Sequence, residues 1–160
     1  MMVESSIFAT KELRASWPRL AAVWARQYPL LFDAQDLRLT RTQPKNHFAE
    51  WFTAVHVFQV EGVRSLVQKY LYHDAHPEKA AVLRRILKTP DLERLRALCD
   101  RHKCQPPDLL LFNMKHQLAG FIEVKGPKDR LKPSQRSLLP DLEQAFGVPV
   151  RLVHVRVVAG

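Results

Sequence analysis

Residues 106–127 read PPDLLLFNMKHQLAGFIEVKGP. Asp108 opens the first of two apolar runs, and Glu123 and Lys125 stand two apart near the end of the second. Charges in a half-buried strand cost stability unless they are paired, hydrated or used. Alternation along a strand puts Glu123 and Lys125 on one face. If the runs form an antiparallel hairpin with its loop near residues 114–118, Asp108 lies across from about residue 124, beside both. Two carboxylates and an ammonium then converge at one end of a sheet. That grouping suits metal-assisted phosphodiester cleavage. Asp108 and Glu123 offer hard oxygen ligands for Mg²⁺ or Mn²⁺, and the Val124 carbonyl lies between them in the chain. The ion neutralises phosphate and acidifies a bound water. Lys125 orients that water and stabilises the developing charge. The same spacing also makes a surface salt bridge between Glu123 and Lys125, worth about 0–1 kcal/mol.

The elements around the hairpin must hold those groups in place. The first hundred residues read as helical. In residues 11–27, Leu13, Trp17, Leu20, Ala21 and Trp24 share a face, with Pro18 starting or kinking the helix. Residues 29–41 are ambiguous. Residues 46–62 are apolar nearly all round and read as a buried helix ending at Gly62. Residues 63–72 read as a further helix, and HPEKAAVLRRILK as another. In TPDLERLRALCDRHK, Thr89 caps and Pro90 takes the first position. His73, Asp74 and His76 suit a turn and helix cap better than a metal site, because no fixed ligand spacing supports them. After Cys104 the texture changes. DLLLFN and AGFIEVKG read as strands, KPSQRSLLPDLEQAFG as a helix containing Pro140, and VPVRLVHVRVV as a last strand with Val150, Leu152, Val157 or their neighbours facing the core. A strand, a crossover helix and a strand make a parallel unit. The expected class is α/β, with a mixed sheet of at least three strands, flanking helices and a large helical N-terminal part.

Composition narrows the partners. In 160 residues, 25 Lys and Arg stand against 16 Asp and Glu, a net charge of +9. That excess favours a polyanion such as nucleic acid over a membrane surface. No window approaches the roughly 20 apolar residues of a membrane span. The N-terminus lacks the basic start and apolar core of a signal peptide, so a cytoplasmic location is expected. Cys99 and Cys104 read as free thiols; a zinc site with His102 lacks the two-plus-two spacing.

The longer string EVKGPKDRLKPSQ is far more specific than its acids and lysine alone. With PPDLLLFN before it and VPVRLVHVRVV after it, residues 105–158 resemble the VRR-NUC nucleases, a branch of the PD-(D/E)xK superfamily. That branch includes the nuclease domain of the Fanconi-anemia-associated nuclease and small stand-alone phage and bacterial nucleases. The resemblance implies that Asp108 and Glu123 ligate metal, that Val124 adds its carbonyl, and that Lys125 positions the attacking water. Gln135 matches a family glutamine near the active site. The start of the same helix, with Lys132 and Ser134, would face phosphate. The family also carries a glutamate on an upstream helix; Glu50 is the match, and Glu61, on the same helical face, is the second choice.

The resemblance implies one VRR-NUC nuclease domain over residues 1–160, with a helical part to about 104 and the catalytic core over about 105–158. Its expected activity is that of a Mg²⁺- or Mn²⁺-dependent DNA endonuclease acting on branched or flapped DNA in repair or recombination. The same scaffold also serves duplex-cutting DNase toxins or defence nucleases, and DNA-binding modules that do not cut. Lys128, Arg130, Lys132, Ser134 and Arg136 would meet the DNA, and Arg84, Arg85 and Lys88 form a second basic cluster. A homodimer, or an immunity protein in the case of a toxin, is compatible with this reading. The helices between Glu50 and Asp108 could cap the site, bind DNA or block dimerisation.

Overall fold

The computed structural model describes residues 2–67, 70, 71 and 76–159. In chain order the elements are β1 (Val3–Thr10), α1 (Lys11–Ala15), α2 (Arg19–Gln27), α3 (Ala34–Thr42), α4 (Phe48–Glu61), β2 (Arg64–Val67), α5 (Pro77–Ile86), α6 (Thr89–His102), β3 (Leu109–Phe112), β4 (Leu118–Lys125), α7 (Pro133–Phe146) and β5 (Val150–Val158). The five strands form one sheet in the order β1-β5-β4-β3-β2. β5 runs parallel to both β1 and β4, while β3 runs antiparallel to β4 and to β2. The fold is therefore the expected α/β arrangement, with α7 as the crossover between β4 and β5.

The N-terminal part is less helical than its sequence suggests. Residues 3–10 form β1, whose partner β5 lies at the other end of the chain. Residues 64–67 form β2 rather than part of a helix over 63–72, and all four are buried. A buried four-residue run carries too little periodicity to separate strand from helix. The expected helix over 11–27 is two helices, because residues 16–18 form a turn between α1 and α2. α6 includes Thr89, and Lys88 takes the capping position one residue earlier than expected.

Apolar residues alternate between the two faces of the sheet. Leu109, Leu111, Ile122, Val124, Val153 and Val155 pack with α2 and α4 around Trp17, Trp24 and Trp51. Leu110, Phe112, Phe121 and Val150 pack against α6 and α7, chiefly Leu95, Leu138, Leu139 and Leu142. On β5, Val150 and Leu152 are buried as expected, whereas Val157 is half-buried. Phe32 stacks on Trp51 with ring centroids 3.7 Å apart, which braces α4 against the loop before α3. Sheet and helices thus fix α4 and α7 on opposite faces of β4.

Candidate active site

Asp108 stands just before β3. Glu123 and Lys125 close β4, on the face that packs against α7. The register pairs Leu109 with Ile122. One further step brings Asp108 level with Glu123, one residue from the position expected. A bulge removes part of a larger offset: Phe112 pairs with Leu118, two residues from the expected register, but Leu111 pairs with Gly120, one residue from it. Asp108 Oδ2 accepts a hydrogen bond from the Val124 N–H at 2.8 Å, which pins the carboxylate to β4. The residue before it is also anchored. The buried Tyr70 hydroxyl donates to the Pro107 carbonyl at 2.7 Å. The sequence carries no signal for that support, since Tyr70 falls in residues 63–72, which read as a helix.

Glu123 and Lys125 are 4% and 7% exposed, so neither is a solvated surface charge. Their Oε2 and Nζ atoms lie 3.4 Å apart. Gln135, in the first turn of α7, bridges them. Its Nε2 donates to Glu123 Oε2 at 2.9 Å, and its Oε1 accepts from Lys125 Nζ at 3.0 Å. The same Oε1 accepts from the Lys132 backbone N–H at 2.9 Å, so Gln135 also caps its own helix. The three side chains form a closed network between β4 and α7.

Glu50 lies in the first turn of α4, where the helix dipole favours an acid. Burial raises its pKa, and the charges of Asp108 and then Asp129 raise it further, against a smaller opposing effect of Lys125. Burial likewise raises Glu123, with the neighbouring Asp108 adding to it. Asp108 is raised by burial, against the hydrogen bonds it makes to Val124 and Glu123 and the charge of Lys125. The three acids therefore share one electrostatic environment that is short of positive charge. Glu61 does not belong to it. It lies about 16 Å farther along the α4 axis, and its Oε2 pairs with Arg151 Nη1 at 2.8 Å.

The remaining expected residues fall into two groups. Lys128, Arg130, Lys132 and Arg136 are exposed along the loop into α7 and its first turn, beside the network. Ser134 is half-buried and hydrogen-bonds Cys104, which places it on the wall of a second cleft with Lys132 and Gln135. Arg84, Arg85 and Lys88 are not brought to the site. Arg85 lines a recess with Phe112 and His116, at the opposite end of the β3–β4 hairpin from Asp108. His102 Nε2 meets Asp141 Oδ2 at 2.7 Å, and both cysteines are free thiols. His76 takes the N-cap position of α5 without a side-chain cap, while His73 and Asp74 lie outside the described residues. No helix among the described residues is long and apolar enough to cross a membrane.

Three acids, an ammonium and a carboxamide at the end of a β-hairpin are the donor types that a hard cation and a positioned water draw on. No curated protein sequence matches the chain. Among solved structures, it is similar to one described as "Crystal structure of paFAN1 bound to 2nt 5'flap DNA with gap", at 22% identity and a TM-score of 0.39. That alignment takes in 95% of this chain and 26% of the other, so the chain spans about a quarter of that protein's length. The VRR-NUC domain family matches residues 50–157, a span that begins at Glu50 itself and reaches well upstream of the 105–158 resemblance. With two thirds of its length matched, the chain belongs to the VRR-NUC domain family.

Proposed function

We propose that this chain is a Mg²⁺- or Mn²⁺-dependent DNA endonuclease, with Glu50, Asp108, Glu123 and the Val124 carbonyl as metal ligands and Lys125 and Gln135 completing the active site. One observation carries the reading above all: the buried Glu123–Gln135–Lys125 network at the end of β4, held in a chain of the VRR-NUC family.

The donors fit a hard divalent cation. They are oxygens, and the pKa values of all three carboxyl groups are raised by burial. Nearby acidic charge adds to this at Glu50 and Glu123. A cation would remove that penalty. Among the described residues no three acids yet lie close enough together to hold an ion. Ligation therefore requires the carboxylates to approach one another more closely than they do here. When bound, the cation neutralises phosphate charge and makes water a stronger acid.

The chain's own residues do the positioning. The Lys125 ammonium has three donors. Gln135 takes one and Glu123 lies within reach of another, which leaves the third for the attacking water or a phosphate oxygen. Burial between β4 and α7 restricts the rotamers of this lysine, so little entropy is lost when substrate arrives. Lys128, Arg130, Lys132 and Arg136 lie exposed where a phosphate backbone would pass, with Ser134 behind them. The preference for branched or flapped DNA follows from the family resemblance.

The test is a cleavage assay with Mg²⁺ or Mn²⁺, with and without chelator, on plain duplex, a 5′ flap and a four-way junction. Lys125→Ala is the control. Metal-dependent cutting of flap or junction, lost in Lys125→Ala, is the expected result. Equal cutting of all three would replace the branched-DNA preference with a duplex nuclease suited to defence or toxicity. Binding without cutting under either ion would leave a DNA-binding module.

A further inference from the structure

A cleft of about 450 Å³ opens on the α4 side of the site. Glu50, Gly126 and Asp129 line it together with the basic residues Arg14, Lys45 and His47. The three basic residues come from α1 and from the turn before α4, far apart in sequence and outside every basic cluster that the sequence suggests. Neither Arg14 nor Lys45 has an acidic partner among the described residues.

The basic lining is built rather than incidental. The Arg14 guanidinium lies 5.2 Å from the centre of the Phe48 ring, which holds its plane while leaving its N–H groups available. His47 has a left-handed backbone at φ 78°, a conformation that costs energy in a residue with a Cβ. Side-chain bonds help to hold that turn. The buried Trp17 donates its indole N–H to the Asn46 carbonyl at 2.9 Å, and His47 Nε2 meets Gln43 Oε1 at 2.6 Å. Lys128, between the cleft-lining Pro127 and Asp129, has φ 71°. Left-handed residues thus occur in two of the chain segments that line the opening beside Glu50.

We propose that this cleft binds a backbone phosphate of the nucleic-acid strand, next to the phosphate being cleaved, through Arg14 and Lys45. The inference rests on the reading of the chain as a DNA nuclease. Guanidinium and phosphate match as a two-pronged hydrogen-bonded pair, and Lys45 adds a flexible point charge. With metal on the Glu50 side, the cleft becomes net positive. The strand would then be gripped by the loop after β4 and by the α1–α4 lining, and this fixes its path past Glu50.

The experiment measures binding of a labelled 5′-flap oligonucleotide and the matching duplex in the presence of Mg²⁺. It uses the full chain carrying Lys125→Ala so that substrate stays intact. Affinity is followed from about 50 to 300 mM salt. Adding Arg14→Gln and Lys45→Gln should weaken binding at least 10-fold and flatten the slope of log K against log salt by about 1 per charge removed. Removing two charges remote from the site, Arg84→Gln with Arg85→Gln, should leave the slope unchanged. Arg14→Lys should restore most of the slope. The exposed Lys45→Gln alone gives a readout if the Arg14 variant is poorly folded. An unchanged slope in the Arg14 and Lys45 variants, or an equal fall in the Arg84 and Arg85 control, overturns the phosphate site. Absence of nucleic-acid binding by the Lys125→Ala parent itself would instead overturn the proposed function.

Discussion

Gln135 reaches from α7 to β4 and donates its Nε2 hydrogen to Glu123 Oε2 at 2.9 Å. Its other end accepts from Lys125, so a single carboxamide sets the orientation of a proposed ligand and a proposed water-positioning group. Supporting partners of this kind are worth about 10–100-fold in metal affinity or activity. Gln135→Ala should lower cleavage by that factor and raise the metal concentration needed for half-maximal rate. Gln135→Glu should be worse, since it replaces the donor with a second acid beside Glu123. A metal titration of initial rates would show both.

Removal of Lys125 should do more. It deletes the only ammonium in the network and leaves Glu123 and Gln135 without their shared cation. Lys125→Ala should cost about 10²–10³-fold in kcat, the scale of lost electrostatic stabilisation. Lys125→Arg should recover little, because a planar guanidinium cannot fill the place of a compact ammonium in a buried site. Single-turnover rates at saturating enzyme separate this effect from weaker binding.

Divalent cations should stabilise the fold through the crowded acids. At about 100 times its Kd a ligand adds about 2.7 kcal/mol. For a chain of this length that is a rise of about 5–10 °C in Tm. Asp108→Asn should abolish the rise while keeping an acceptor for the Val124 N–H. Thermal melts with Mg²⁺, Mn²⁺ or chelator check it. An equal rise in the variant would place the ion elsewhere.

Asp36 offers a pH effect remote from the active site. It is 1% exposed and bonded to Lys79, yet burial raises its pKa from 3.8 to about 6. The folded protein therefore holds this proton more tightly than the unfolded chain. Stability from this group is full below about pH 4 and is lost as pH rises to about 6, by roughly 3 kcal/mol. Asp36→Asn keeps an acceptor for the Asp33 N–H of the capping box. Denaturant midpoints of wild type and Asp36→Asn from pH 4 to 7 should diverge in that direction, with wild type losing more.

The bulge in the β3–β4 hairpin depends on Gly120. Its φ is +156°, and an added Cβ would sit 2.7 Å from the Pro149 carbonyl oxygen. That atom is backbone and already accepts from the Phe121 N–H at 3.0 Å, so it cannot retreat freely. Gly120→Ala should destabilise by about 1–3 kcal/mol. Cleavage should fall further than stability, because the same bulge sets Asp108 against Glu123. Paired melting and activity measurements would separate the two losses.

The hairpin, the crossover helix and the last strand were readable from sequence because each carries its own local signal: alternation, a Pro near the start of α7 and a Gly past its end. The α4 helix was readable for a similar reason, ending at Gly62 with a left-handed backbone. What escaped depends on distant partners. β1 looks like an ordinary polar start until β5 lies beside it. β2 is four buried residues with no period to measure. The hairpin register missed by one residue because its loop closes tightly, with the Asn113 N–H bonded to the Gln117 carbonyl, and the bulge at residues 118–120 then restores only part of the shift. Among the site residues, the acids, lysine and glutamine of residues 108–135 stood out by type and spacing. Arg14, Lys45 and Tyr70 did not, since only the folded chain brings them near.

The pairing of β1 with β5 joins residues at opposite ends of the chain, Val3 with Arg151 through Thr10 with Val158. β4, which carries Glu123 and Lys125, also takes β5 as its second neighbour. β5 is the last of the five strands in chain order, so during synthesis it joins the sheet after the others. Until it does, β1 has no partner and β4 has one open edge. The loop that must close spans nearly the whole chain, which makes folding slow and late. The strand that carries Glu123 and Lys125 therefore keeps an open edge until β5 docks, so the proposed site is set only when the first and last strands of the sheet meet.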